Sequence, residues 1–316
     1  MNKNEDRALR PTSFDGYLGQ ESSKKLLQIS IKAARQRGEP ITHTLMSGPP
    51  GLGKTTLAQI IANEMGAKMI TINSPSIRHK GELVSILLSL EPRDILFLDE
   101  IHSLNPKIEE ILYPAMEDFK IVVLNSDANA SNAMEFSINP FTLIGATTRS
   151  GMISQPLRDR FGEVIQMQHY SVEELAVIVQ QSARKLGIEC LALAALSISK
   201  MSRGTPRIAN HLVRHARDRA QVFGSAVIDE STVRETADSI GIDLAGLNRT
   251  DREYLKILNN RKTASGIKTI TSMLGESKDA VEEVIEPYLM RIGFIEKTAL
   301  GRTITETGSR HLSQAG

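Results

Sequence analysis

Gly48-Pro49-Pro50-Gly51-Leu52-Gly53-Lys54-Thr55 joins a short apolar run, Thr44-Leu45-Met46, to a helical pattern from Thr56 to Met65. Each part of this octet has a physical reason. The glycines let the backbone turn its amides inward around phosphate oxygens, and the N-terminus of the following helix adds the positive end of its dipole. Lys54 is placed to reach the terminal phosphates of a nucleoside triphosphate, and the Thr55 hydroxyl to ligate Mg²⁺. A strand, this loop and a helix, in that order, predict an α/β domain built on phosphate binding.

Outward from the loop, further apolar runs alternate with helical patterns: Lys68 to Ile72, Asp94 to Leu98, and Phe141 to Gly145. Short strands spaced by amphipathic helices predict a parallel sheet between helices. The run from Asp94 ends in Asp99-Glu100, about 45 residues beyond the octet. There Asp99 can hold Mg²⁺ through water and Glu100 can orient or deprotonate an attacking water. His102 follows without a second soft ligand nearby and reads as structural. The run from Phe141 ends in Ala146-Thr147-Thr148-Arg149, where a polar side chain could sense the γ-phosphate. Leu157-Arg158-Asp159-Arg160-Phe161-Gly162 then offers two arginines at a domain edge, and arginine is the residue suited to developing phosphoryl charge.

After Ser171 the strand signal stops. Ser171-Val172-Glu173-Glu174 predicts a capping box, followed by Leu175, Ile178 and Val179 at helical spacing. This predicts a small all-helical domain, over 169–241. Within it Pro206 opens a helix and Arg207 lies in the first turn, where a cation opposes the helix dipole and an anionic partner would explain it. From 242 to 316, helices are predicted at Thr250–Asn259, Ile267–Leu274 and Ser277–Arg291. Two short strands follow around Ala299-Leu300-Gly301, the order of a winged helix-turn-helix. Lys297 and Arg302 flank that turn and are the residues expected to grip DNA phosphates.

Composition excludes more than it selects. The 316 residues carry a net charge of +1, so any nucleic-acid contact must be local and not a property of the whole surface. No apolar run approaches the roughly 18 residues of a membrane span. The polar start, Met1 to Asp6, lacks the apolar core of a signal peptide, and a single cysteine, Cys190, builds neither a disulfide nor a multi-cysteine zinc site. A cytoplasmic protein is expected.

Six blocks, taken together and in order, resemble the RuvB family of AAA+ motors: Gly48–Thr56, Asp99–His102, Ile111–Phe119, Gly145–Arg149, Pro156–Gly162 and Gly204–Asn210. The resemblance runs from about Leu9 to Thr305. It implies an AAA+ ATPase domain over 1–168, a lid over 169–241 and a DNA-binding winged helix over 242–316. It implies that Leu9, Arg10 and Tyr170 enclose adenine, with Gly51, Gly53, Lys54, Thr55 and Thr56 around the phosphates of ATP or ADP. Thr148 is implied as the first sensor, Arg207 as the second, and Arg160 as a finger offered to a neighbouring subunit. Glu117, Asp118 and Phe119 match positions associated with nucleotide or the adjoining subunit, and Lys278 matches a DNA-contacting one. The family forms a hexameric ring on duplex DNA, is loaded by RuvA at four-way junctions, drives branch migration as ATP is hydrolysed, and works upstream of the resolvase RuvC.

One region departs from the family. Ile121–Leu124 and Met134–Ile138 can pair as a hairpin, the surface on which RuvA docks in the family. Their connection, Asn125 to Asn132, contains no glycine, proline or basic residue, although asparagine and aspartate supply turn geometry. Ile121, Val123, Phe136 and Ile138 are therefore the candidate apolar contacts, of which half, as in any alternating set, must face their own domain. Three rivals are weaker. A clamp-loader subunit usually carries Ser-Arg-Cys where this chain has Leu157 to Arg160. A nucleotide switch without turnover has no use for Glu100. A sequence-reading regulator predicts a basic third helix, but Asp279, Glu282, Glu283 and Glu286 stand there.

Overall fold

The computed structural model describes residues 3–124, 133–261 and 263–314. The chain divides into two compact units: residues 1–170 together with Thr205–Arg207, and residues 171–204 with 208–316.

In the first unit the order is α1 (Lys3–Leu9), α2 (Glu21–Arg37), β1 (Thr44–Ser47), α3 (Lys54–Met65), β2 (Met69–Asn73), α4 (Lys80–Leu88) and β3 (Ile95–Asp99). Then come α5 (Pro106–Glu109), α6 (Leu112–Glu117), β4 (Lys120–Leu124), β5 (Ala133–Ser137), β6 (Thr142–Thr147), α7 (Gln155–Arg158) and β7 (Glu163–Gln166). Five strands form one sheet in the order β2-β3-β6-β1-β7, every neighbour parallel. All residues of β1 and β6 are buried, as expected where helices cover both faces. The chain leaves β1 for the far edge of the sheet and returns through β3 and β6. That crossover puts the C-terminal ends of β1, β6 and β3 side by side, the crevice in which ligands of open α/β sheets bind. The core beside these strands is aliphatic and aromatic, with Leu45, Leu96, Leu98, Leu143, Phe141 and Phe161 among its members.

The hairpin expected after Phe119 exists. Lys120–Leu124 pairs antiparallel with Ala133–Ser137, with Ile121 opposite Phe136 and Val122 opposite Glu135. The connection from Asn125 to Asn132 lies outside the described residues. Of the four candidate contacts, Ile121 and Ile138 are the half that faces the domain's own core, Phe136 is 42% exposed, with Val122 and Met134 exposed beside it, and the Val123 side chain lies outside the described residues. The twist of a two-stranded ribbon turns its base into the core and its outer half toward solvent.

The second unit begins with α8 (Val172–Lys185), whose predicted capping box is present: Glu174 N donates to Ser171 Oγ at 3.1 Å, and Ser171 N to Glu174 Oε2 at 2.8 Å. The order continues β8 (Glu189–Cys190), α9 (Ala192–Met201), α10 (Pro206–Val222), β9 (Val227–Ile228) and α11 (Glu230–Ile240). Here the all-helical expectation is corrected, because β8 and β9 pair in parallel. Each strand has two residues, too short for any alternation to register in the sequence.

Next come α12 (Arg249–Arg261), α13 (Ile267–Leu274), α14 (Lys278–Ala280), α15 (Glu286–Arg291), the hairpin β10 (Ile295–Thr298) and β11 (Gly301–Ile304), and α16 (Glu306–Gln314). Between α14 and α15 the backbone takes one π-turn, Val281–Ile285. Pro287 accounts for it: it has no N–H to give the preceding turn and its ring crowds the carbonyl four residues back, so the single predicted helix widens there. Lid and winged helix are bound within this unit by Arg203, which donates to the Gly246 carbonyl at 2.7 Å, pairs with Asp251 and lies over the Tyr288 ring at 4.7 Å.

Candidate functional site

The glycine loop adopts backbone that only glycine takes easily. Gly48, Gly51 and Gly53 have φ of 143°, 84° and 100°. A side chain would also collide: a Cβ on Gly48 would lie 2.9 Å from the Met167 carbonyl, and one on Gly51 3.1 Å from Arg207 Cβ. The loop is thus a closed backbone cradle that runs straight into the first turn of α3. Thr55 and Thr56 lie in that turn, partly buried.

Lys54 is held inside this cradle, where its ammonium donates to the Gly48 carbonyl at 2.6 Å and the Pro49 carbonyl at 2.9 Å. Burial pulls its pKa below the usual lysine range, Asp99 and Glu100 oppose that shift, and Arg207 adds to it. Asp99 and Glu100 at the end of β3 and Arg207 at the start of α10 thus lie near enough for their charge to act on Lys54. The Arg207 amide also donates to the Gly51 carbonyl at 3.4 Å. A glycine loop opening into a helix N-terminus, with Lys54 held in it and Asp99, Glu100 and Arg207 nearby, fits a nucleoside triphosphate with Mg²⁺. Thr55 and Asp99 would be the metal's protein ligands.

Glu100 stands just past β3 in left-handed conformation, φ 54°, its side chain 46% exposed. Its amide donates to Asp99 Oδ1 at 3.1 Å and its carbonyl accepts from Ser103 N at 2.8 Å, which pins the backbone at both ends. At the end of β6, Thr147 is buried and Thr148, the expected sensor, is exposed beyond it. Tyr170 is buried, with its hydroxyl 3.5 Å from the Leu52 carbonyl. Leu9 is buried and Arg10 exposed at the end of α1.

Tyr17 was not legible in the sequence. It is buried, its hydroxyl falls 3.5 Å from where a Cβ on Gly53 would be, and burial with the neighbouring Tyr170 drives its pKa upward. It lies in an irregular segment between α1 and α2, where neither spacing nor motif marks a residue.

Two groups assigned to the subunit boundary meet within this chain. Arg160 donates to Glu117 Oε2 at 3.3 Å and to the Pro156 carbonyl at 2.7 Å, with its guanidinium over the Tyr113 ring at 4.4 Å. Asp118 is exposed, while Phe119, left-handed at φ 52°, packs edge-on to Phe141 and His43.

In the winged helix the three expected DNA contacts separate. Lys278 and Lys297 are exposed, each 3.7 Å from Glu282. Arg302 is corrected: it is 7% exposed and spent on Glu286 and Glu282, so its charge is unavailable to a phosphate. The acidity of the third helix has the same cause, because two of its glutamates receive this arginine.

Comparison with known proteins accords with this geometry. The RuvB P-loop domain model matches residues 9–167, the RuvB AAA lid model 170–243, and the RuvB C-terminal winged helix model 244–313. The chain belongs to the RuvB family. A Holliday junction branch migration complex subunit RuvB from Campylobacter hominis is 49% identical over 301 residues, 95% of this chain and 88% of that protein. Its counterpart from Rubrobacter xylanophilus is 44% identical over 98% of this chain and 88% of its own length. The solved structure of the Thermotoga maritima RuvB branch migration motor superposes with a TM-score of 0.86 at 42% identity, covering 97% of this chain and 98% of that one. Among the described residues, no helix is long and apolar enough to cross a membrane.

Proposed function

We propose that this chain is the ATP-hydrolysing motor subunit that drives branch migration of Holliday junctions. The observation that carries this reading is the glycine cradle that holds Lys54 and borders Arg207, beside the sheet end where β3 delivers Asp99 and Glu100. Lys54 and the loop amides hold the phosphates, and Glu100 takes the proton of the attacking water. Thr55 and Asp99 would hold Mg²⁺, which would supply charge neutralisation at the phosphates when bound. Thr148 and Arg207 read the γ-phosphate, and Leu9, Arg10 and Tyr170 surround the base. Arg160 swings from Glu117 into a neighbour's site, which requires a ring, here a hexamer, and Glu117, Asp118 and Phe119 lie along that boundary. The winged helix grips duplex DNA through Lys278 and Lys297. RuvA loads the ring at the junction, RuvC resolves the product, and the work is cytoplasmic.

The test is ATP-dependent dissociation of a synthetic four-way junction, with and without RuvA. Lys54→Ala should weaken nucleotide binding. Glu100→Gln keeps the size but not the base, so binding should persist while turnover falls by about 10²-fold or more. Junction dissociation by the Glu100→Gln protein at the wild-type rate would overturn the reading.

A further inference from the structure

His102 lies between the proposed base and the strand that carries the γ-phosphate sensor. Its side chain is 5% exposed, with Nδ1 3.0 Å from Thr147 Oγ1 and Nε2 3.7 Å from Glu100 Oε2. The tautomer that suits this arrangement carries its hydrogen on Nε2, facing the Glu100 carboxylate, which accepts. Nδ1 is then the acceptor, and the Thr147 hydroxyl must donate to it. Thr147 can do so: its oxygen accepts from the Arg149 amide at 2.9 Å, and its hydroxyl proton can turn to the ring.

The result is a relay of fixed polarity. The Arg149 amide donates to Thr147, Thr147 donates to His102, and His102 presents Nε2–H to Glu100. At 3.7 Å the last contact is longer than a hydrogen bond, and an approach of under an ångström by the half-exposed carboxylate closes it. Thr148, the sensor, lies between the two β6-end residues of this relay.

We infer that His102 is a positioning residue: it sets the Glu100 carboxylate by the state of the Thr147–Arg149 segment, so the base is aligned when that segment has met the γ-phosphate. The inference rests on the ATPase reading and adds the coupling element. It also explains why a buried imidazole stands here when a packing role would be served by a leucine.

Two near-isosteres separate positioning from packing in the full-length protein. The amide nitrogen of His102→Gln reaches the place of Nε2 and keeps the donor to Glu100. The amide of His102→Asn reaches only the place of Nδ1, so it keeps Thr147 and loses Glu100. The Gln variant should keep kcat within about threefold, while Asn should lose about 10- to 100-fold, the range for a misplaced reacting group. KM, the Kd for a fluorescent ATP analogue and Tm should match between the two. Thr147→Val should lower kcat in the wild-type background, where it releases the ring, and have no further effect in the His102→Gln background, where that link is already gone. In a Glu100→Gln background, followed by single turnover, His102→Asn should have no further effect, since two residues acting as a unit are not additive. Equal kcat for Asn and Gln at equal Tm, or an undiminished Asn effect without Glu100, overturns the inference. A wild-type rate in Glu100→Gln alone would instead overturn the assignment of the base, and this relay with it.

Discussion

Arg302 and Glu286 form the buried ion pair of the winged helix: guanidinium Nε lies 2.8 Å from Glu286 Oε1, and the Tyr254 hydroxyl donates to the same oxygen at 2.9 Å. Glu286 is 1% exposed and Arg302 also reaches Glu282 at 2.7 Å. The carboxylate thus takes a bidentate cation and a phenol while sealed from bulk solvent. Removing one partner of such a pair strands the other charge, an effect of about 3 kcal/mol or more. Arg302→Ala should therefore shift denaturant unfolding of the full chain earlier by about that amount. Arg302→Lys should recover little of it, because an ammonium cannot span two carboxylates as a planar fork does. A loss under about 1 kcal/mol would mean the pair behaves as an exposed one.

Lys297 stands directly across the hairpin from Arg302 and differs from it in every respect that matters for DNA. It and Lys278 are more than half exposed, and their shared contact with Glu282 is loose. Loose surface pairs hold their members weakly, so both ammoniums can exchange Glu282 for a phosphate. Lys278→Ala with Lys297→Ala should lower duplex affinity about equally across unrelated sequences and reduce the salt slope by roughly 1 to 2 units. The measurement is equilibrium binding against salt concentration. An unchanged slope, or a loss confined to one sequence, would remove the wing from the grip.

Arg160 rests on its own subunit, over Tyr113 and against Glu117, yet its side chain stays 23% exposed and that of Glu117 56%. An exposed pair of this kind gives way readily to a phosphate offered by a neighbour. Arg160→Ala and Lys54→Ala proteins should each be inactive alone. Mixed, they should regain hydrolysis, because some interfaces then combine an intact loop with an intact finger. Confirmed mixed assembly without any recovered turnover would place Arg160 in its own subunit's chemistry.

The outer half of the β4–β5 hairpin presents Met134 and Phe136 to solvent beside Val122, while Ile121 and Ile138 anchor its base. Exposed apolar residues next to buried ones on a protruding ribbon suit a partner surface better than a core. Met134→Ser with Phe136→Ser should weaken RuvA binding by about 30-fold, the effect of losing one anchor worth about 2 kcal/mol. The measurement is a RuvA titration of ATPase stimulation. A drop in hydrolysis without RuvA would identify the ribbon as structural instead.

What could be read in the sequence was local. The octet from Gly48 to Thr55, the Asp99-Glu100 strand end and the Ser171 capping box are each complete within a few residues, and each takes the local structure its sequence predicts. Long-range pairing was opaque. Nothing near Arg302 shows that Glu286, sixteen residues earlier, will bury it, so an arginine beside a wing turn reads as a phosphate contact. The same holds for His102, whose meaning depends on Thr147, forty-five residues away across two strands. Tyr17 reaches the loop from a segment with no periodicity, and β8–β9 is too short to carry any.

His43 supplies a test in pH. It precedes β1, its Nε2–H donates to the Met116 carbonyl at 3.1 Å, and its Nδ1 accepts from Leu143 N–H at 2.8 Å. A second proton would set N–H against N–H, and burial holds the pKa below the ordinary 6.5, only partly offset by the Met116 carbonyl. The unfolded chain, with its pKa near the ordinary value, therefore takes up the proton first as pH falls. The stabilisation is fully present above about pH 6.5 and is lost as pH falls through the folded-state pKa, with a slope of at most about 1.4 kcal/mol per pH unit. His43→Asn keeps an acceptor near Leu143 N–H and cannot titrate. Its unfolding free energy, followed by denaturant between pH 7.5 and roughly pH 5, should fall less steeply than that of the wild type, even if it is lower throughout. Parallel curves for the two proteins would show that His43 does not carry this acid sensitivity.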